Sequence, residues 1–145
     1  MHLLRIDQSG DLYQDGEAVD LGLSPARFVI LSAADTDLML LASAVDQSGR
    51  GDDAVRLANI LTLSHPYSID LLVDQTLRAS RLMVVRLLGG ISYWSYGVER
   101  LAALARQEGI DLALLPGDGK PDPELERLST LDPGRLNTLN AYLVA

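Results

Sequence analysis

The sequence predicts an α/β fold with a mostly parallel sheet flanked by helices on both faces. Two observations carry the prediction. Short apolar runs stand at Phe28-Val29-Ile30-Leu31, at 82–88 with Arg86 inside it, and at Leu112-Ala113-Leu114-Leu115, each bounded by Gly, Pro or polar residues. Between them lie segments with apolar residues at three- and four-residue spacing. Strands that are apolar throughout, rather than alternating, are buried on both faces, as in a parallel sheet covered by helices. Crossovers between such strands are right-handed. The chain has 145 residues, the size of one ordinary α/β domain, and is 48% hydrophobic and 22% charged, too apolar for intrinsic disorder.

In chain order, residues 3–6 read as a short strand, followed by turns at Gln8-Ser9-Gly10-Asp11 and Asp15-Gly16, a hairpin or irregular lead-in. The strand at 28–31 follows Pro25, and Asp35-Thr36-Asp37 then opens a helix over 38–45. The turn residues 46–51 close it. Asp52 or Asp53 is expected to cap a further helix, because Ala54, Leu57, Ala58 and Leu61 repeat at helical spacing. His65-Pro66 breaks that helix. Ser68 is a candidate cap for the next one, with Ile69, Leu72, Val73 and Leu77 on one stripe.

The second strand, 82–88, ends at Gly89-Gly90, and 93–97 reads as a loop. A helix over 98–108 follows, with Gly109 placed for a left-handed C-terminal cap. The third strand, 112–115, stops at Pro116-Gly117. Pro123 starts a helix ending near Leu131, and Pro133 starts another that runs to Ala145 without a cap, as in a chain cut from something longer.

Composition excludes several function classes. Twenty acidic residues against 12 Lys and Arg give a net charge of −8, which argues against nucleic acid, since that binding rests on neutralising phosphates. There is no cysteine, hence no disulfide, thiol catalysis or Cys-based metal centre. Met1-His2-Leu3-Leu4-Arg5 does not begin a secretory signal, and the longest apolar run, 38–45, is far short of a membrane span. The expected location is the cytoplasm.

In an open parallel sheet, ligands sit beyond the carboxyl ends of the strands. The loops leaving the three expected strands would place Asp35, Asp37, Gly89, Gly90, Tyr93, Trp94, Tyr96 and Asp118 around one crevice as candidate ligand- or partner-binding residues. Asp35 and Asp37 have the spacing to share a hard cation, but helix capping alone accounts for these residue types, and that reading is favoured. Gly89-Gly90 permits close backbone approach or positive φ. Tyr93, Trp94 and Tyr96 hold three of the chain's seven aromatic residues; they suit stacking on a flat ligand, anchoring a partner, or packing a loop on a helix. His65 has no ligand partner at metal spacing. Gly117-Asp118-Gly119-Lys120 lacks the Ser or Thr of a phosphate loop and reads as a turn. No catalytic residue and no metal site is assigned.

The same segments resemble a known family. Met1-His2-Leu3-Leu4-Arg5, Val29-Ile30-Leu31-Ser32-Ala33-Ala34-Asp35-Thr36-Asp37-Leu38, Arg56-Leu57-Ala58-Asn59 and His65-Pro66-Tyr67-Ser68-Ile69-Asp70 look like the opening of the CobN family, the large subunits of aerobic cobaltochelatase. The likeness is most specific in Val84-Val85-Arg86-Leu87-Leu88-Gly89-Gly90, Tyr93-Trp94 and Tyr96-Gly97. It runs on through Leu114-Leu115-Pro116-Gly117-Asp118 and Pro121-Asp122-Pro123-Glu124-Leu125. The magnesium chelatase large subunit is a relative with a different metal and ring.

The resemblance implies a Rossmann-like three-layer domain, residues 1–145, at the N-terminus of a much longer subunit. That subunit would take part in ATP-dependent insertion of Co²⁺ into hydrogenobyrinic acid a,c-diamide during cobalamin synthesis. AAA+-type subunits would handle Mg-ATP, and the rest of the large subunit would carry the insertion chemistry. The segment itself is then a binding or docking domain with no cofactor of its own, its partners being the remainder of the subunit, the ATPase subunits and the tetrapyrrole. The alternatives are a fragment of a magnesium chelatase-type subunit and a free-standing flavodoxin-like small-molecule binder.

Overall fold

The computed structural model describes residues 18–48, 54–118 and 120–144. The expected strand at 3–6, the turns near 8–16 and the caps at Asp52 or Asp53 lie outside them. Four strands, β1 (Phe28–Ser32), β2 (Val55–Asn59), β3 (Leu82–Leu87) and β4 (Asp111–Pro116), form one all-parallel sheet in the order β2-β1-β3-β4. Five helices connect or follow them: α1 (Asp35–Ser48), α2 (Pro66–Gln75), α3 (Ser95–Glu108), α4 (Pro123–Leu128) and α5 (Pro133–Val144). The expected α/β architecture, parallel sheet with helices on both faces, is what the chain adopts.

The chain leaves β1 in one direction to reach β2, then crosses back over β1 to reach β3 and continues to β4. With right-handed crossovers, α1 covers one face while α2 and α3 cover the other. Strand alternation distributes the core accordingly. Val29, Leu31, Met83, Val85, Leu87, Leu112 and Leu114 point to the α2–α3 face, where they pack with Ile69, Val73, Val98 and Leu101 in the main core. The opposite face is thinner: Val84, Ala113 and Leu115 meet Leu136 of α5, with Ile30, Leu82 and Leu139 packed half-buried beside them.

One expected helix is a strand. The run containing Ala54, Leu57, Ala58 and Leu61 forms β2 and a 3-10 turn, Ile60–Leu63, instead of a capped helix. Its spacing fits a helix, but β1 has an unpaired edge that Val55-Arg56-Leu57-Ala58-Asn59 fills in register from Phe28↔Val55 to Ser32↔Asn59. On this edge strand only Ala58 is buried, so the period-two signal is faint.

Smaller boundaries also move. His65, rather than Ser68, caps α2, its Nδ1 accepting from the Tyr67 N–H at 3.0 Å with Pro66 in the first turn. Ser68 is buried and accepts from the Val19 N–H at 2.6 Å. The expected loop at 93–97 is a 3-10 turn, Ile91–Trp94, running into α3 at Ser95. Gly109 ends α3 with φ of 69°, as expected of a left-handed cap. Helix α4 stops at Leu128 because Ser129 and Thr130 turn onto β4: their hydroxyls accept from the Leu114 and Leu112 N–H groups at 2.9 and 2.6 Å. This covers the outer edge of the sheet.

Gly97 is fixed by packing. It is buried in the first turn of α3, and a Cβ there would run into the Trp94 indole ring. That ring is wholly buried, so it has nowhere to move. Gly97→Ala is therefore expected to destabilise the fold by about 1–3 kcal/mol, as overpacking does. Urea unfolding of the variant beside the parent chain measures it.

Candidate functional site

The strand order reverses between β1 and β3, so the crevice at their carboxyl ends is the switch point where open α/β sheets bind ligands. Here an internal ion pair fills it. Asp37, in the first turn of α1, receives Arg86 Nη1 at 2.7 and 2.8 Å, and both side chains are only 12–13% exposed. Arg86 stands on β3 directly beside Ser32 of β1. Its Nη2 donates to the Gly117 carbonyl at 3.0 Å, just beyond β4. Its buried Nε has no hydrogen-bond partner among the described residues. Ser32 completes the arrangement: its hydroxyl donates to Asp37 at 2.9 Å and accepts the Ala34 N–H at 3.1 Å.

The three loops converge, but not all their candidates do. Asp35 lies in the first turn of α1 and accepts from Asn59 Nδ2 at 2.7 Å, tying α1 to the end of β2. Asp118 is exposed and accepts the Lys120 N–H at 2.9 Å, consistent with a turn. Gly90 has φ of +72°, and a Cβ on it would lie 3.5 Å from an Asp122 oxygen, which places its loop against the one following β4. Gly89 packs on Tyr93.

The aromatic residues turn away from the crevice. Trp94 is fully buried in the main core, and its Nε1 donates to the Leu63 carbonyl at 2.9 Å. Its ring has no free face on which a flat ligand could stack. Tyr93 and Tyr96 pack half-buried against the same core. Arg86 was the residue to single out from sequence. One cation inside the otherwise apolar run Leu82-Met83-Val84-Val85-Arg86-Leu87 must be paired when buried.

A second polar cluster ties α2 to α3. Asp70 accepts from the Tyr96 hydroxyl at 2.7 Å and from Arg100 Nε at 2.9 Å. Burial alone would raise the Asp70 carboxyl, but these two hydrogen bonds and the Arg100 charge outweigh it and hold the group below its ordinary 3.8. The hydrogen bond to Asp70, with burial and the Asp70 charge, raises the Tyr96 phenol above its ordinary 10.0, against the opposing Arg100 charge. Among the described residues, no three His, Cys, Asp or Glu side chains are grouped to hold a metal ion, and no helix is long and apolar enough to cross a membrane.

Two outcomes follow from this geometry. Asp37→Asn leaves the Arg86 charge without its counter-ion and is expected to destabilise the fold by about 3 kcal/mol. Asp37→Leu combined with Arg86→Met, which removes both charges, should recover most of that loss in urea unfolding. At the α2–α3 tie, the lowered Asp70 value makes its contribution present above pH 3.8 and lost as pH falls through the folded value. The raised Tyr96 value makes its contribution present below pH 10.0 and lost above it. Asp70→Asn should therefore lower stability by a constant amount between those limits, with the gap from the parent closing on both sides.

No family model matches the chain. Among curated proteins it is similar to the aerobic cobaltochelatase subunit CobN of Sinorhizobium sp, 45% identical over 98% of this chain and 11% of that protein. It is likewise similar to the CobN subunit of Pseudomonas aeruginosa, 43% identical over 99% of this chain and again 11% of that protein. Among solved structures it resembles the catalytic subunit of cobaltochelatase from Mycobacterium tuberculosis, with a TM-score of 0.63 and 27% identity over 83% of this chain and 9% of that one. The chain thus spans about a tenth of the length of the relatives it matches. Over that span it belongs to the CobN family of cobaltochelatase subunits.

Proposed function

We propose that this chain is the N-terminal docking domain of a cobaltochelatase large subunit and inserts no metal by itself. The observation that carries the reading is the pairing of 43–45% identity across nearly the whole chain with relatives of which it makes up only 11%. On this reading the complete subunit, in the cytoplasm, inserts Co²⁺ into hydrogenobyrinic acid a,c-diamide during cobalamin synthesis. AAA+-type subunits supply the energy of Mg-ATP.

Docking is favoured over small-molecule binding by the state of the switch-point crevice. The cation there, Arg86, is neutralised by Asp37, and Asp122 adds a carboxylate beside Gly90. An acidic tetrapyrrole or a nucleotide phosphate would meet negative charge there, at a cost that rises as water is excluded. Trp94, buried and hydrogen-bonded to Leu63, offers such a ring no stacking surface.

Cobalt insertion, followed by the absorbance of the metallated ring, checks the reading. The 145-residue chain mixed with the ATPase subunits, Co²⁺, Mg-ATP and tetrapyrrole should give no product, whereas the full-length subunit should. Insertion by the short chain would overturn the assignment as a docking domain. A full-length subunit that inserts Mg²⁺ and not Co²⁺ would overturn the choice of metal.

A further inference from the structure

Helix α1 carries the sequence of a buried helix on the surface. From Leu38 to Val45 it reads Leu-Met-Leu-Leu-Ala-Ser-Ala-Val, apolar around its circumference and without a charge. A helix apolar on all sides belongs in the interior of a larger body. Yet none of the 14 residues of α1 is buried, and Met39 and Leu40 are 70% and 72% exposed. Leu38, Leu41 and Val45 are only half-buried.

Other exposed apolar side chains lie on segments bonded to the same end of α1. Leu61 is two residues beyond Asn59, whose amide is held by Asp35 at 2.7 Å. Leu88 is two residues beyond Arg86, which is held by Asp37. Leu61 and Leu88 are 47% and 55% exposed. Large apolar groups that recur on adjoining elements of an otherwise acidic protein mark an interaction surface.

We infer that the exposed face of α1, with Leu61 and Leu88 at its rim, is the surface on which the remaining part of the CobN-type subunit packs. This inference rests on the reading of the chain as a docking domain. The relatives are roughly nine times longer than the segment matched, so ample protein is present to cover the face. Charge disfavours the competing occupants. A second copy of this chain carries the same net charge of −8 and would set the exposed Asp35 and Asp46 of two α1 helices near one another. An anionic lipid surface would meet those same carboxylates.

Photo-crosslinking in the full-length subunit tests the assignment. Benzoylphenylalanine is placed at position 39, at position 40 and, as a control on the opposite side, at the exposed position 107 of α3. Probes at 39 and 40 should capture peptides from outside the 145-residue segment of the same polypeptide, at least tenfold more than the probe at 107. Adducts confined to a second copy or to an ATPase subunit would overturn the inference. So would capture at 39 and 40 no greater than at 107, or no adduct at all. Cobalt insertion by the unlabelled subunit, assayed in parallel, reports on the chelatase reading independently of where the adducts map.

Discussion

The contact on which the carboxyl end of this fold depends is the ion pair between Asp37 and Arg86. It joins the helix after β1 to the strand beside it, and Arg86 passes the connection to the Gly117 carbonyl beyond β4. Three separate chain segments thus meet in one hydrogen-bonded cluster at the switch point of the sheet. Buried pairs stabilise weakly relative to an apolar replacement, yet losing one partner strands a charge in a poor solvent. The cluster therefore works mainly as a specifier of position. It sets where α1 begins and how far the loop after β4 lies from β3, and it consumes the cation that a phosphate or carboxylate ligand would need.

Legibility in the sequence followed burial. β1, β3 and β4 were readable because both of their faces are covered, which makes their residues mostly apolar, Arg86 being the exception within β3. Gly109 was readable because a left-handed backbone selects glycine locally. β2 was not, since its structure is imposed by the free edge of β1 and its own spacing suits a helix equally well. Of the candidate crevice, Asp37 was placed correctly at the start of a helix, but its ion pair spans 49 residues and leaves no local pattern. For Trp94 the sequence leaves stacking, partner anchoring and packing open, and the structure has the indole buried in the core with its Nε1 donating to the Leu63 carbonyl.

The aromatic cluster and the acidic crevice thus belong to different sides of the sheet and do different work. Trp94, with Gly97 packed flat against its ring, fills the space where the segment before α3 meets the 3-10 turn after β2. Tyr96 extends this joint through Asp70 and Arg100 to bind α2 to α3. The joint is apolar within and polar at its margin, so its hydrogen bonds fix the relative placement of the two helices while the ring supplies buried area. None of these contacts requires a ligand.

The two faces of the sheet consequently make unequal demands. The α2–α3 face is closed by large buried side chains, including Trp94, Leu63, Leu77 and Leu101, and its polar groups are paired. The opposite face has a small core under α5 and a helix, α1, with no buried residue and with Met39 and Leu40 largely in solvent. A protein selected to stand alone would place charge on such a helix, since charged faces keep monomers soluble. Here the eight residues of α1 nearest the middle are uncharged while the chain elsewhere carries an excess of carboxylates. The asymmetry is that of a domain closed by large buried side chains on one face and left with an apolar helix in solvent on the other. It accounts for a sequence that resembles the interior of a large subunit at α1 and an ordinary acidic surface nearly everywhere else.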